Sequence, residues 1–526
     1  MSSSWSKALQ DLKNLDRSPA IDPKGSVRSR KENVGRAEIQ EPVSSGFVWT
    51  PSQQAVIQCT HPLIRVRALA GTGKSRVLEA FAARRSGRWR YLTFNQALAA
   101  DAKRRMPSHV KVATFHGLAF ARFGLPFQDR FEAKWSAGAL PKILGRPFEE
   151  DAERRWLMVL LDTLGAFIKS ASPLILADHV DRTGWLLARA CEDPVPNDVE
   201  GVILDAERLW SAIIQPGAPW PVTHDTYLKL WCLAESRLPV DGILIDEDQD
   251  LTPAIHAWLA QHPGIHVRVG DPNQAIYGFR GATVREDQPG EHVLRMPESF
   301  RFGEAIAAQA NRVLARLGND RLIGRGPSGH VRETWHSNPH TTLLARTHTG
   351  LLEAALDANE QGIPLAQSMR VPQRLAAVLA LSRGQRDQIR DPWVAGFPDL
   401  STFEAAIKEG GDGDWVAACR VVRKHGQDLE RRIERLNATC AEDGWKLSTV
   451  HAAKGQTFER VALAQDLPLV DPQQPSGREE THLLYVAMTR ARVELSLHPA
   501  WAQNFARWAN HFQRSEPVAD LSDSGF

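Results

Sequence analysis

The stretch Leu63–Ala68 alternates Ile64 and Val66 with Arg65 and Arg67. It runs without a spacer into Ala68-Leu69-Ala70-Gly71-Thr72-Gly73-Lys74-Ser75, and Arg76–Arg85 then reads as a helix. No other feature constrains the fold as much. A strand, a turn of small residues, a Lys-Ser pair and a helix, in that order, form a phosphate loop. Small residues let backbone N–H groups curl around an anion at the positive end of a helix. Lys74 can then reach β- and γ-phosphates, and the Ser75 hydroxyl can ligate Mg²⁺. Ala68 stands where the pattern usually has Gly, so the alternative is a plain Gly-rich turn before a helix.

The rest of the chain repeats this strand-then-helix grammar. Tyr91-Leu92-Thr93-Phe94 reads as a strand and Ala97–Met106 as a helix; further strand signals stand at Gly242–Ile245, Ile265–Val269, Thr342–Ala345 and Lys446–Val450. Alternation of this kind predicts an α/β fold with parallel sheets and ligands at the strands' C-terminal ends. Trp156–Phe167 and Val202–Ile214 are apolar at helical spacing. Asp246-Glu247 closes the apolar run Ile243–Ile245. There, one carboxylate can hold Mg²⁺ and the next can orient and deprotonate an attacking water. By itself, such a cluster also suits a solvated strand end.

Composition bounds the class. The 526 residues carry 64 Lys+Arg against 62 Asp+Glu, and a hydrophobic fraction of 43% suits several packed domains. Five scattered cysteines offer neither a disulfide framework nor a zinc spacing. With no leader-like apolar run and no spanning segment, the expectation is a cytoplasmic protein without a membrane partner. Residues 84–111 hold eight basic side chains against the single acid Asp101. That run reads equally as a solvated face or as a nucleic-acid track. The 16 Trp against 4 Tyr has no explanation at this level.

Further motifs follow in order. Asp246-Glu247-Asp248-Gln249-Asp250 and Gly270–Ala282 (GDPNQAIYGFRGA) resemble motifs II and III of UvrD/Rep-type superfamily 1 DNA helicases. Gln53 in Thr50–Gln53 resembles the Q motif, Thr93-Phe94-Asn95 motif Ia and Thr114-Phe115-His116 motif Ib. Ser299-Phe300-Arg301 resembles motif IV, Ser448–Gly455 motif V, and Glu479-Glu480 with Leu484–Arg492 motif VI. Within that family the run Tyr91–Pro107 followed by Thr114–Phe120 most resembles the F-box DNA helicases and their bacterial relatives. Residues 1–46 are too short and polar for an F-box, and no nuclease-like extension is expected after residue 510.

The resemblance implies two RecA-like P-loop parallel-sheet domains, each interrupted by a mainly helical insertion. The expected division is a disordered segment at 1–46, domain 1A at 47–119 and 241–297, and insertion 1B at 120–240. Domain 2A follows at 298–350 and 445–512, a short insertion 2B at 351–444 and a polar tail at 513–526. The resemblance further implies an ATP-dependent, 3′→5′ translocase or helicase on single-stranded DNA, with a 3′-tailed duplex as substrate. ATP and Mg²⁺ would bind in a cleft between the two domains. Ala70, Gly71, Thr72, Gly73, Lys74 and Ser75 would hold the phosphates, with Arg76 close by. Gln53 would read adenine and Phe300 stack on it. Ser75 and Asp246 would hold the metal and Glu247 act as base. Gln274 would sense the γ-phosphate, with Arg301 and Arg490 adding charge. Arg490 is expected on a helix opened by a capping box at Ser476–Glu479.

For DNA, Phe94, Tyr277 and Phe279 would stack on bases with Thr93, His116 and Arg280 beside the backbone, and Asn95, Thr114, Thr449 and His451 would also bind DNA. Two other functions compete: a nucleotide-gated DNA-binding switch inside a larger assembly, and an RNA helicase, since phosphate and stacking contacts do not read the 2′-OH. The end Asp520–Phe526 could dock into a protein partner or be a plain terminus. Motif V departs from the family pattern, with Gln456-Thr457 after Lys454-Gly455 where Leu-Glu is usual.

Overall fold

The computed structural model describes residues 48–132, 140–145, 151–180, 199–234, 237–318, 320–410, 413–426, 428–474 and 476–510. The expected N-terminal segment, the polar tail and Cys191 lie outside the described residues.

The chain forms two compact units. Among the described residues, the first takes Val48–Arg67, Lys74–Gly270 and Tyr277–Arg295; the second takes Ala68–Gly73, Asp271–Ile276 and Met296–Asn510.

The first unit is built on β1 (Leu63–Ala68), β2 (Trp89–Thr93), β3 (Val110–Thr114), β4 (Gly242–Asp246), β5 (Ile265–Gly270) and β6 (His292–Met296), in the order β3-β2-β4-β5-β1-β6. Every pairing from β3 to β1 is parallel. A parallel strand is covered on both faces and so reads as a continuous apolar run, as the fully buried β4 does. The helix Pro51–Gln58 enters through a capping box, in which Thr50 Oγ1 accepts from Gln53 N–H and Gln53 Oε1 accepts from Thr50 N–H, with Pro51 in the first turn.

Helices Asp151–Lys169, Val199–Ile213 and His224–Leu233 fill the middle of this unit. Leu160, Leu164 and Phe167 recur at helical spacing on the buried face of the first of these, while Met158 is exposed. Their apolar faces are continuous with the sheet: Leu92, Ile243 and Ile245 share one core with Phe167, Trp210 and Trp231.

The second unit adds a short pair, β7 (Glu298–Ser299) and β8 (Ile323–Gly324), and a five-stranded sheet. Its strands are β9 (His330–Arg332), β10 (Thr341–Ala345), β11 (Lys446–Thr449), β12 (Phe458–Leu463) and β13 (Ala491–Leu497), in the order β11-β10-β12-β13-β9. All four pairings are parallel. Helices between Gln373 and Ala438 pack Leu375, Phe403 and Trp415 into the same core as Leu343 and Leu447.

Two local expectations fail. Ser476 has φ 61° and its side chain caps nothing, so the helix Gly477–Met488 starts without a capping box. The spacing S-x-x-E is present, but a left-handed Ser cannot turn its hydroxyl onto the third N–H. Arg490 is not on that helix either. The helix ends at Met488 with Thr489 as its C-cap, and Arg490 sits in the turn before β13.

Among the described residues no helix is long and apolar enough to cross a membrane.

Candidate nucleotide and nucleic-acid sites

In the first unit, β4 delivers Asp246 to its C-terminal end, almost fully buried. One carboxylate oxygen, Oδ2, accepts from Ser75 Oγ at 2.7 Å and from Tyr91 Oη at 2.6 Å. The other, Oδ1, accepts from Glu247 N–H at 3.0 Å. Burial, and then the neighbouring Glu247 charge, push the Asp246 carboxyl up from its ordinary value. A divalent cation would reverse that shift. A carboxylate and a hydroxyl on one side are the hard oxygen donors Mg²⁺ takes when phosphates supply the rest, so Ser75 and Asp246 fit that ion. The Tyr91 hydroxyl is also pushed up, first by burial and then by Asp246, and stays a donor.

Glu247 has φ 58° and ψ 49°, a left-handed conformation that costs a non-glycine residue roughly 1–3 kcal/mol. The conformation turns the side chain away from the strand direction. Lys74 Nζ lies 3.3 Å from its Oε2, and Gln249 Nε2 donates to the same oxygen at 2.7 Å. The base candidate is therefore held by a cation that phosphate would compete for and by an amide from its own turn.

The loop turn Ala68–Gly73 packs with the second unit. Gly71 and Gly73 have φ of 76° and 81°. A Cβ on Gly71 would collide with Ser299 Oγ and come within 2.7 Å of Arg301 Cβ, so only glycine fits. Phe300 N–H donates to Gly71 C=O at 2.9 Å. From there a polar chain runs inward. Tyr485 Oη accepts from Ala70 N–H (3.1 Å) and donates to Asp271 Oδ2 (3.2 Å); the same oxygen accepts from Gln274 Nε2 (2.6 Å). Gln274 Oε1 in turn accepts from Arg490 Nη2 at 3.2 Å. Asp271 and Arg490 are fully buried, and Arg301 donates to Thr489 C=O at 2.8 Å. Such over-determination is what preorganised electrostatics requires.

Gln53 is buried with its Oε1 engaged in the cap of its own helix, Phe300 is 40% exposed, and Arg76 is exposed.

The DNA candidates divide into two kinds. Thr114 and Thr449 each end a strand, Asn95 stands two residues past the end of β2, and all three cap the following helix, accepting from Gly117, Ala452 and Ala97 N–H at 3.0, 3.3 and 2.8 Å. Thr93 is fully buried. By contrast, Phe279 is 61% exposed, its ring 6.1 Å from that of Tyr277, with the Arg280 guanidinium 5.0 and 5.5 Å from the two rings. Phe94 meets the edge of His116 at 5.1 Å, and His116 Nε2 pairs with Asp225 Oδ1 at 3.0 Å. His451 follows Thr449 at the end of β11, half-buried.

The side chains of the basic run 84–111 are held differently. Arg85 is buried and donates to Ile57, Phe81 and Cys59 carbonyls. Arg104 and Arg105 pair with Asp101, Arg105 also with Glu79, and Arg88 with Asp241.

Sequence reasoning missed Tyr91, Asp271 and Tyr485. Tyrosine scarcity was the available signal. All four tyrosines lie beside motif residues: Tyr91 and Tyr485 as above, Tyr277 in the aromatic loop, and Tyr227 with its ring 6.1 Å from His116.

Residues 202–287 match the family model for the UvrD/REP helicase N-terminal domain, and residues 432–500 match that for the UvrD-like helicase C-terminal domain. The chain is 28% identical to F-box DNA helicase protein 1 of Schizosaccharomyces pombe, over 90% of this chain and 60% of that protein. It is 26% identical to F-box DNA helicase 1 of Gallus gallus, over 88% and 50%. Against the ATP-dependent DNA helicase UvrD2 of Mycobacterium tuberculosis it is 27% identical over 49% of this chain and 47% of that protein. The chain thus spans between half and two thirds of the length of the F-box helicases it matches.

Proposed function

From a chain homologous to the F-box DNA helicases and UvrD proteins, with both UvrD-type helicase domains, we propose an ATP-dependent DNA helicase that moves 3′→5′ along single-stranded DNA. The observation that carries the reading is the geometry at the end of β4. There a left-handed Glu247 is paired with the phosphate-loop Lys74, beside an Asp246 held by Ser75 and Tyr91.

The residues divide the work as follows. Phosphate arriving at the loop draws Lys74 from Glu247, which frees that carboxylate to orient and deprotonate water. Ser75 and Asp246 would hold Mg²⁺, which supplies charge neutralisation on the phosphate oxygens. Gln274, fixed between Asp271 and Arg490, answers the γ-phosphate, and Arg490 and Arg301 offer permanent charge to it. Its state reaches Tyr277–Arg280 along the same short segment of chain. Those exposed rings stack on bases without regard to sequence, as a translocating protein needs. Cycles of hydrolysis would alternate the grip of the two units on the strand. The 3′→5′ direction rests on the family resemblance alone.

The test is strand displacement on 3′-tailed and 5′-tailed duplexes, run beside ATPase stimulation by DNA and by RNA of equal sequence. Displacement of the 3′-tailed duplex with DNA stimulation is expected. DNA-stimulated ATPase with neither displacement nor translocation would replace the motor by a nucleotide-gated switch, and stimulation by RNA alone would replace the substrate.

A further inference from the structure

The helix Asp151–Lys169 ends against the aromatic loop of the first unit. The stem of Lys169 crosses Gly281, whose φ is +78°, and a Cβ there would lie 2.8 and 2.9 Å from Lys169 Cβ and Cγ. Lys169 Nζ sits 3.5 Å from the carbonyl oxygen of Phe279. On the same loop stand the exposed Phe279 ring and the exposed Arg280 guanidinium.

The turn that follows is secured from beneath. Lys229, 1% exposed, donates at 2.7 Å to the carbonyl oxygens of both Ser170 and Ser172, and its Nζ lies 4.4 Å from the Phe167 ring. Burial pushes this ammonium down to about 7. A helix C-terminus normally presents unpaired carbonyls and a partial negative charge, which repels phosphate. Here the buried Lys229 amino group occupies the carbonyls just past the helix, and the last residue of the helix is itself a lysine. Asp225, which feels the Lys169 charge, is already hydrogen-bonded by His116. This helix end therefore attracts anions.

We infer that Lys169 is a DNA phosphate-binding residue that carries the strand track from the Tyr277–Arg280 loop onto the helical segment, with Lys229 as its positioning residue. The inference rests on the DNA reading above and adds a contact that no sequence motif marks. The base-stacking rings and the two flanking cations, Arg280 and Lys169, together form a surface for a flexible polyanion with unpaired bases.

The experiment measures binding of fluorescent oligo-dT by anisotropy between 50 and 200 mM KCl for the wild type, Lys169→Gln, Lys169→Arg and Arg280→Gln. One phosphate contact to a single strand contributes about 0.7 to the slope of log K against log salt. Lys169→Gln should weaken binding several-fold at low salt and flatten the slope by about 0.7, and Lys169→Arg should restore both. An unchanged slope for Lys169→Gln beside a flattened one for Arg280→Gln would overturn the inference and leave the DNA reading intact. So would affinity lost without any change of slope, which marks a packing role. A wild type that does not bind oligo-dT would overturn both.

Discussion

The residues proposed to serve the nucleotide and those proposed to face a DNA strand are built on opposite rules. In the proposed nucleotide set the chemical groups are buried and multiply held: Asp246 in the first unit, and Asp271, Gln274 and Arg490 in the second, are each at most 4% exposed and each has named partners. On the proposed strand side, Phe279 is 61% exposed, and Arg280 leans on that ring and on the half-buried ring of Tyr277. Hydrolysis needs charges fixed before the transition state forms, and burial supplies that. Strand movement needs contacts that form and release, and exposed π-faces with mobile cations supply that. Each rule predicts how its side should break.

The nucleotide side should break most sharply. Glu247→Gln keeps the shape of the side chain and its hydrogen bond from Gln249 but removes the base, so kcat for ATP should fall about 10²–10⁴-fold with nucleotide binding retained. Steady-state ATPase beside a nucleotide-binding titration checks this. A variant turning over at the wild-type rate would remove Glu247 from the chemistry.

The next largest effect concerns the Lys229 clamp at the end of the helix Asp151–Lys169. Lys229 is held at about 7 in the folded protein, against an ordinary 10.5. Between those values the unfolded chain binds more protons than the folded one, so stability rises with pH across the window. The penalty is full below 7 and disappears above 10.5. Its charged neighbours do not titrate in that range, because His179 is lowered by burial and by Lys229, and Cys232 is pushed up to about 12. Relative to Lys229→Met, the wild type should therefore gain up to roughly 4 kcal/mol as pH climbs from 7 toward 10, measured by urea melts at several pH values. A difference that stays flat with pH would break the account of the clamp.

The two sides also differed in how far the sequence disclosed them. Strands β1 and β4 and the phosphate loop are local events: a short apolar run, a turn of small residues and a charged end specify them without help from distant residues. The left-handed Glu247 and the Lys74 pairing follow from where that loop and that strand meet. Tyr91, Asp271 and Tyr485 were hidden because their roles depend on partners 155, 214 and 415 positions away. Asp271 stood inside a recognised motif and still showed no role, because nothing local says that its carboxylate aims at Gln274 and Tyr485. Local spacing misled at Ser476, where the S-x-x-E pattern is present and the backbone turns left-handed. At 84–111 one-dimensional proximity could not show that Arg85 points inward to three carbonyls. Lys169 carried no signal at all, since a lysine at a helix end is common.

On the strand side the aromatic loop comes next. Phe279→Ala removes one stacking face worth about 1–3 kcal/mol per base, so single-strand affinity should drop by about 5- to 150-fold with little change in thermal stability. Unchanged affinity by anisotropy would mean that the exposed ring faces something other than a base.

The smallest effect tests the division itself. Thr114 belongs to a motif that resembles a DNA-contacting one, yet its hydroxyl accepts from Gly117 N–H at 3.0 Å and caps the helix Phe115–Ala119. If capping is its work, Thr114→Ala should cost about 1 kcal/mol of stability, and Thr114→Ser, which keeps the hydroxyl, should recover it. DNA affinity should follow stability in both variants. A Thr114→Ala protein of wild-type stability that has lost single-strand affinity would place the hydroxyl on the strand instead. The buried threonines would then belong with Phe279 and Arg280, and the separation between a fixed nucleotide side and a releasing strand side would run through Thr114 rather than beside it.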